Sequence, residues 1–205
     1  MQKGEAVRLV DGKGTLYEGC ISDPDQRRCG IEINEKIADF EKRDYRLHIA
    51  ISPLKNPERF EWFVEKSVEA GIDEITPLIC RNTEKPGIKA GRIESIIISA
   101  MKQSIKAFRP VVNRPVLFDE FIRAEVDGAR MIAHCSNDFG RSSIDEVCRK
   151  GEDVVILIGP EGDFSKGEIA LALENGFRSV HLGRSRLRTE TAGVAACLAV
   201  YFINQ

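Results

Sequence analysis

Two stretches of the chain gather residue types that do chemistry. The first, Gly159-Pro160-Glu161-Gly162-Asp163-Phe164-Ser165, follows the apolar run 153–158. Its glycines allow close backbone approach, and its acids can accept a proton or orient a cation. Ser165 and Glu168 have capping-box spacing, so a helix should start there. The stretch is neither a P-loop, lacking Gly-Lys-Ser/Thr, nor a GxGxxG dinucleotide turn. The second stretch, 181–193, carries Arg184, Arg186 and Arg188 immediately before a helix start. Arginine and a helix N-terminus both favour an anion. The bland alternatives are an ordinary strand-to-helix turn and a solvated charge run. A third feature is Lys102, Lys106 and Arg109, spaced i, i+4, i+7 on the polar face of an amphipathic helix beside Gln103 and Ser104. Such a stripe tracks a phosphate backbone or is simply a wet face.

The elements that must position these residues follow from periodicity. From position 46 onward strands alternate with helices. Strands are predicted at 47–52, 72–78, 129–135, 153–158 and 179–182. Helices are predicted from Pro57 to Gly71, then at 93–108, 143–149, 166–175 and 189–204. That alternation implies an α/β domain over 46–205, a parallel sheet covered by helices on both faces. Ligands of such sheets bind beyond the carboxyl ends of the strands, which selects the loops after Ile158 and Leu182. Residues 1–45 read differently, as a small all-β piece. Strand patterns at 6–10 and 15–21 flank Asp11-Gly12-Lys13-Gly14, a hairpin cue, and 30–37 alternates again. A piece this size hardly sustains a core alone, and it reads as lacking a strand or two at its start.

Length and composition bound the rest. The 205 residues, 42% hydrophobic, suffice for one domain with a small attachment and exclude disorder. The net charge of -2 argues against wholesale coating of nucleic acid but leaves room for a local basic groove. The six cysteines form no CxxC pair and the three histidines no HExxH, so no metal is expected and the thiols read as reduced. The longest apolar run, 193–203, falls well short of the roughly 20 residues that span a bilayer. No secretory signal is visible, so a cytoplasmic location without membrane contact is expected.

The two loops together carry a family resemblance. Residues 159–165, followed by Leu182-Gly183 and Leu187-Arg188-Thr189-Glu190-Thr191-Ala192, are similar to the paired signature of the ribosomal RNA small subunit methyltransferase E family. The resemblance extends over nearly the whole chain, through Glu65-Lys66 and Glu69-Ala70-Gly71, and through Met101-Lys102-Gln103-Ser104 to Pro110. Lys102 and Lys106 stand where that family often has Glu and Arg, and Asp163 where a glycine is common. The resemblance implies a SPOUT-type sheet with a C-terminal trefoil knot, preceded by a PUA-like β-barrel. It implies S-adenosylmethionine as cofactor and N3 of a uridine in 16S ribosomal RNA as methyl acceptor, with the small ribosomal subunit as partner. It also implies a homodimer, for which Val194, Leu198, Tyr201 and Phe202 on the last helix offer an apolar face, core packing being the rival use.

On that reading Ile158, Gly159, Leu182, Gly183 and Leu187 hold the cofactor through main-chain groups, and Gly162, Thr189 and Ala192 shape the pocket. Arg188 is the first candidate to stabilise the uridine anion, with Glu161 or Glu190 to orient it or take the proton. RNA would be held by the β piece, by Lys102, Lys106 and Arg109, and by Arg184 and Arg186. Two rivals stay open: methyl transfer to a transfer RNA nucleoside or a ribose, and a non-catalytic ribosome-assembly module that reuses the fold.

Overall fold

The Asp11 carboxylate builds the first turn, accepting the N–H of Lys13 (2.7 Å) and of Thr15 (3.0 Å). Those two backbone donors hold its pKa below the usual 3.8. The turn reverses the chain between β1 (Ala6–Val10) and β2 (Leu16–Asp23), and β3 (Gly30–Ile37) completes a three-stranded antiparallel sheet. We follow the chain in a computed structural model that describes residues 2–125 and 127–205.

The remaining elements are β4 (Leu47–Ile51), α1 (Pro57–Ala70), β5 (Glu74–Ile79), α2 (Ala90–Ser104), β6 (Val111–Val112), β7 (Val116–Leu117), α3 (Phe118–Arg123), β8 (Ala129–Ala133), β9 (Ser142–Ser143), α4 (Ile144–Val147), β10 (Val154–Ile158), α5 (Lys166–Glu174), β11 (Arg178–His181) and α6 (Thr189–Ile203). They build a second sheet in the order β6-β5-β4-β10-β8-β11-β9, with β7 also on β5, and its pairs are parallel. The predicted α/β architecture is therefore present.

β10 lies at the centre and is buried at all five positions. Its side chains alternate by the period-2 rule. Val154, Ile156 and Ile158 join the core beneath α1, α2, α4 and α6, while Val155 and Leu157 join the core beneath α3 and α5. Helix α1 begins where Asn56 accepts the N–H of Glu58 and Pro57 takes the first position, and it ends at Gly71, whose φ of 87° is left-handed. Helix α6 packs close to α1 and β4. A Cβ at Gly193 would sit 2.5 Å from the Phe63 ring and 2.9 Å from Ile51, so only glycine fits there.

One boundary differs from the expectation in a way that bears on function. The apolar period continues through Ile105 and Phe108, yet α2 stops at Ser104 because Ile105 is left-handed (φ 54°). Tertiary docking overrides the local pattern. Gly14 N–H bonds to Ala107 O (2.9 Å), Arg109 N–H to Gly12 O (3.0 Å), and the Phe108 ring closes over Gly14. Lys106 and Arg109 thus lie beyond the helix, and the three-residue basic stripe does not form. Lys106 instead pairs with Glu41 (3.1 Å) and Arg109 with Glu94, while Lys102 is exposed.

Candidate active site

Parallel strands end on the same edge, so the loops after β8, β10 and β11 emerge side by side. They enclose one cleft of about 1120 Å³, to which the first turn of α1 adds Arg59. Ile158, Gly159, Glu161, Leu182, Gly183, Arg184, Arg186, Leu187, Arg188, Thr189 and Ala192 line it, so the two chemically marked stretches meet as expected. Gly159 is tight against the Phe164 ring, 3.0 Å from where a Cβ would be, and Gly183 holds φ 98° with open space around it. The N–H groups of residues 184–188 find no internal partner among the described residues, so their main chain faces the cleft or solvent. Arg184, Arg186 and Arg188 likewise carry no ion pair among the described residues and are exposed.

Two nominated residues lie elsewhere. Gly162 faces Asn82, whose amide donates to Gly162 O (3.4 Å) and Asp163 O (3.0 Å) and so ties the loop to the end of β5. Glu190 is turned inward, 7% exposed. One of its oxygens sits 3.8 Å from Arg59 Nε, and the other is buried with no partner among the described residues. Among the described residues no ion pair joins it to Arg188. Glu161 is exposed and accepts a long bond (3.4 Å) from Lys55 N–H.

A further wall, unmarked by any motif, comes from the loop after β8: His134, Cys135, Asn137 and Arg141. His134 is 4% exposed. Its Nε2 shares a hydrogen bond with Ser179 Oγ (2.9 Å), and Arg141 donates to its carbonyl oxygen (2.8 Å). Burial lowers its pKa from 6.5, so the ring is neutral at pH 7; Asp163 acts against that and Arg141 with it. Asp163 ties this wall to the 159–165 loop by accepting Cys135 N–H and Phe164 N–H, each at 2.8 Å. Its φ of 62° is left-handed, a conformation that aspartate tolerates and glycine adopts freely. Among the described residues, no group of three or more His, Cys, Asp or Glu side chains is placed to hold a metal ion, and no helix is long and apolar enough to cross a membrane.

Comparison with known proteins agrees with this geometry. Residues 41–201 match the RNA methyltransferase domain family. A relative called ribosomal RNA small subunit methyltransferase E from Mesomycoplasma hyopneumoniae is 30% identical over 169 residues, covering 80% of this chain and 72% of the relative. The chain belongs to the ribosomal RNA small subunit methyltransferase E family. Another relative so called, from Buchnera aphidicola, is 31% identical, covering 98% of this chain and 82% of that one. Among solved structures, a probable rRNA-methyltransferase from Porphyromonas gingivalis superposes with a TM-score of 0.91 at 41% identity, over 100% of this chain and 87% of that one. A ribosomal RNA small subunit methyltransferase E from Neisseria gonorrhoeae bound to S-adenosyl methionine gives 0.88 at 26% identity, over 100% and 85%. In this methyltransferase the matched segment contains the whole of the cleft.

Proposed function

We propose that the protein transfers a methyl group from S-adenosylmethionine to N3 of a uridine in 16S ribosomal RNA of the small subunit. The observation that carries this reading is the convergence of three strand-end loops on one cleft, with free arginines at its mouth, in a chain whose relatives are ribosomal RNA methyltransferases. The cleft suits a nucleoside with an amino-acid tail. Ile158, Leu182, Leu187 and Ala192 give it apolar walls, Gly159 and Gly183 bare backbone, and residues 184–188 unengaged N–H donors. Bound there, S-adenosylmethionine supplies a methyl carbon already activated by the sulfonium. The protein's contribution is alignment and charge.

Uridine N3 must lose its proton, and the anion needs a cation. Arg188, at the N-cap of α6 and without an ion pair among the described residues, fills that role, with the helix N-terminus adding in the same sense. Glu161 is the carboxylate left to take the proton. Glu190 is buried away from the cleft, and both oxygens of Asp163 are engaged by backbone amides. Arg184 and Arg186 then meet the RNA backbone, assisted by Lys102 and by the three-stranded piece, which we read as PUA-like. Lys106 and Arg109, already paired with carboxylates, contribute less.

Several finer points belong to the same reading. The return of the chain from β11, past the ends of β8 and β10, to a helix on β4 and β10 supports a trefoil knot. The exposed Leu198 (39%) and Phe202 (68%) on α6, whose core face is instead Gly193, Ala196, Cys197 and Val200, support a homodimer through that helix. A cytoplasmic location follows from the substrate. Nucleoside mass spectrometry of 16S ribosomal RNA tests the reading: cells lacking the protein should lose one N3-methyluridine, and the purified protein with S-adenosylmethionine should restore it. No cofactor heat in calorimetry would favour a non-catalytic module, and a methyl group lost from another RNA would replace the substrate.

A further inference from the structure

We propose that Arg59 is a second cation of the reaction site, donating to a carbonyl oxygen of the target uracil, and that Glu190 is its positioning residue. The proposal rests on the reading above and names what sets base specificity at that site. A carboxylate as enclosed as Glu190 is costly unless a cation answers it. The cation in contact is Arg59, at 3.8 Å through Nε, and the second Glu190 oxygen has no partner among the described residues. Guanidinium is a planar fork. Drawn to Glu190 by its Nε side, Arg59 keeps both terminal nitrogens free, and neither makes a bond among the described residues. Arg59 itself lines the cleft. The inward carboxylate therefore sits beside an arginine that lines the cleft with its terminal nitrogens unengaged among the described residues.

What that edge would meet follows from the neighbours. Arg59, Glu161 and Arg188 come from three different parts of the chain and line the same cleft, so two donors and one acceptor border one space. The N3 face of uracil reads acceptor, donor, acceptor: O4, N3–H, O2. Glu161 takes the N3 proton while the arginines take the oxygens, over which the resulting negative charge spreads. The N3 lone pair then forms the new bond to the methyl carbon, the carbon–sulfur pair returns to sulfur, and the sulfonium becomes a neutral thioether. Cytosine offers an amino donor in place of O4 and no N3 proton, so an arginine at that oxygen also excludes it.

The test uses the full-length protein and its Arg59→Ala, Arg59→Lys and Glu190→Gln variants. Calorimetry gives S-adenosylmethionine affinity, and single-turnover methylation of small ribosomal subunits from cells lacking the protein gives rates across pH. The expected result is cofactor affinity within about twofold throughout. The saturated rate of Arg59→Ala should fall about 100-fold, the scale for losing one donor to a developing oxyanion. Its rate should keep climbing into alkaline pH where the unaltered protein has levelled, because the base then ionises without help. Arg59→Lys, lacking the fork, should recover less than about a tenth of the rate. Glu190→Gln, isosteric and folded, should fall between. A parallel loss of cofactor affinity would make Arg59 a contact to the cofactor carboxylate and overturn the proposal. So would a loss confined to KM and relieved at low salt, which marks a phosphate contact, or an unchanged rate and pH profile. Failure of the unaltered protein to methylate subunits would instead remove the functional reading beneath it.

Discussion

Asp163 joins two walls of the cleft with one carboxylate, and removing it sets two opposed effects against each other. The side chain accepts the N–H of Cys135 and of Phe164, both at 2.8 Å, from a backbone at φ 62°. Hydrogen bonds to a charged group contribute about 1.5–3 kcal/mol each. The Cys135 end is exposed and the Phe164 end half-buried, so water replaces part of that, and a combined loss of about 2–4 kcal/mol is expected for Asp163→Ala. Asp163→Gly loses the same bonds but is relieved of the left-handed penalty of about 1–2 kcal/mol. Against that relief stands glycine's extra unfolded-state entropy of about 0.5–1 kcal/mol. The glycine variant should therefore be the more stable of the two by about 0.5–1 kcal/mol, and both should fall below the unaltered protein. Denaturant unfolding measures the order, and calorimetry with S-adenosylmethionine reads whether the walls still meet. Affinity should drop in both variants, because neither holds the 134–141 loop against the 159–165 loop. A glycine variant that matches the unaltered protein in midpoint and affinity would refute the tie, leaving Asp163 as a mere turn residue.

Three further outcomes are expected. Gly193→Ala gains helix propensity of about 1 kcal/mol, yet its Cβ meets the buried Phe63 ring at 2.5 Å. Overpacking of about 1–3 kcal/mol should win, lowering Tm and weakening cofactor binding as the start of α6 shifts. Thiol titration at pH 8 should find Cys29 and Cys135 reactive and Cys20 slower, with Cys80, Cys148 and Cys197 silent until unfolding. Burial pushes Cys148 up to about 11 and Cys197 up to about 12, and S-adenosylmethionine should protect Cys135. Because burial lowers the folded pKa of His134, the unfolded chain takes the proton first. The stability that His134 contributes should be full above about pH 6.5 and fall as the pH drops from there toward the folded value, by at most about 1.4 kcal/mol per unit, with His48, also lowered by burial, adding in the same sense. A Tm series from pH 7.5 to 5.5 should be flatter in His134→Asn, and equal slopes would exclude this histidine as the source.

What the sequence reveals, and what it hides, divides along physical lines. The run 154–158 announces a buried central strand because no polar residue interrupts it, and α1 is bracketed by Asn56-Pro57 and Gly71. The two-residue strands β6, β7 and β9 and the six-residue α3 are too short to carry a period. The end of α2 is invisible locally because the feature that stops it lies about 90 residues upstream, at Gly12 and Gly14. In the site, glycines, arginines and acids mark the loops after β10 and β11, whereas His134 and Arg141 form a wall that no motif announces. The signal for it is topological: β8 pairs with β10, so its following loop must share the cleft. The burial of Glu190 is legible in retrospect. It precedes Gly193, Cys197 and Val200 by 3, 7 and 10 residues, which is the inner face of α6.

How the chain distributes its charges argues for where RNA approaches. With 30 basic and 32 acidic residues, most cations are expected to be answered by anions. Some are, as beside the three-stranded piece, where Lys106 meets Glu41, Arg109 meets Glu94, and Arg43 meets Asp73 at 2.6 Å. An arginine already paired gives little to a phosphate, because the new contact must displace the old one. Arg184, Arg186 and Arg188 have no carboxylate partner among the described residues, and the buried carboxylate of Glu190 lies 3.8 Å from Arg59 instead. A nearly neutral molecule thus places three arginines without an ion pair at the mouth of the cleft. Steering of a polyanion depends on the local field and not on the net charge, so under the proposed function the RNA would be drawn to the edge of the sheet that carries the cleft.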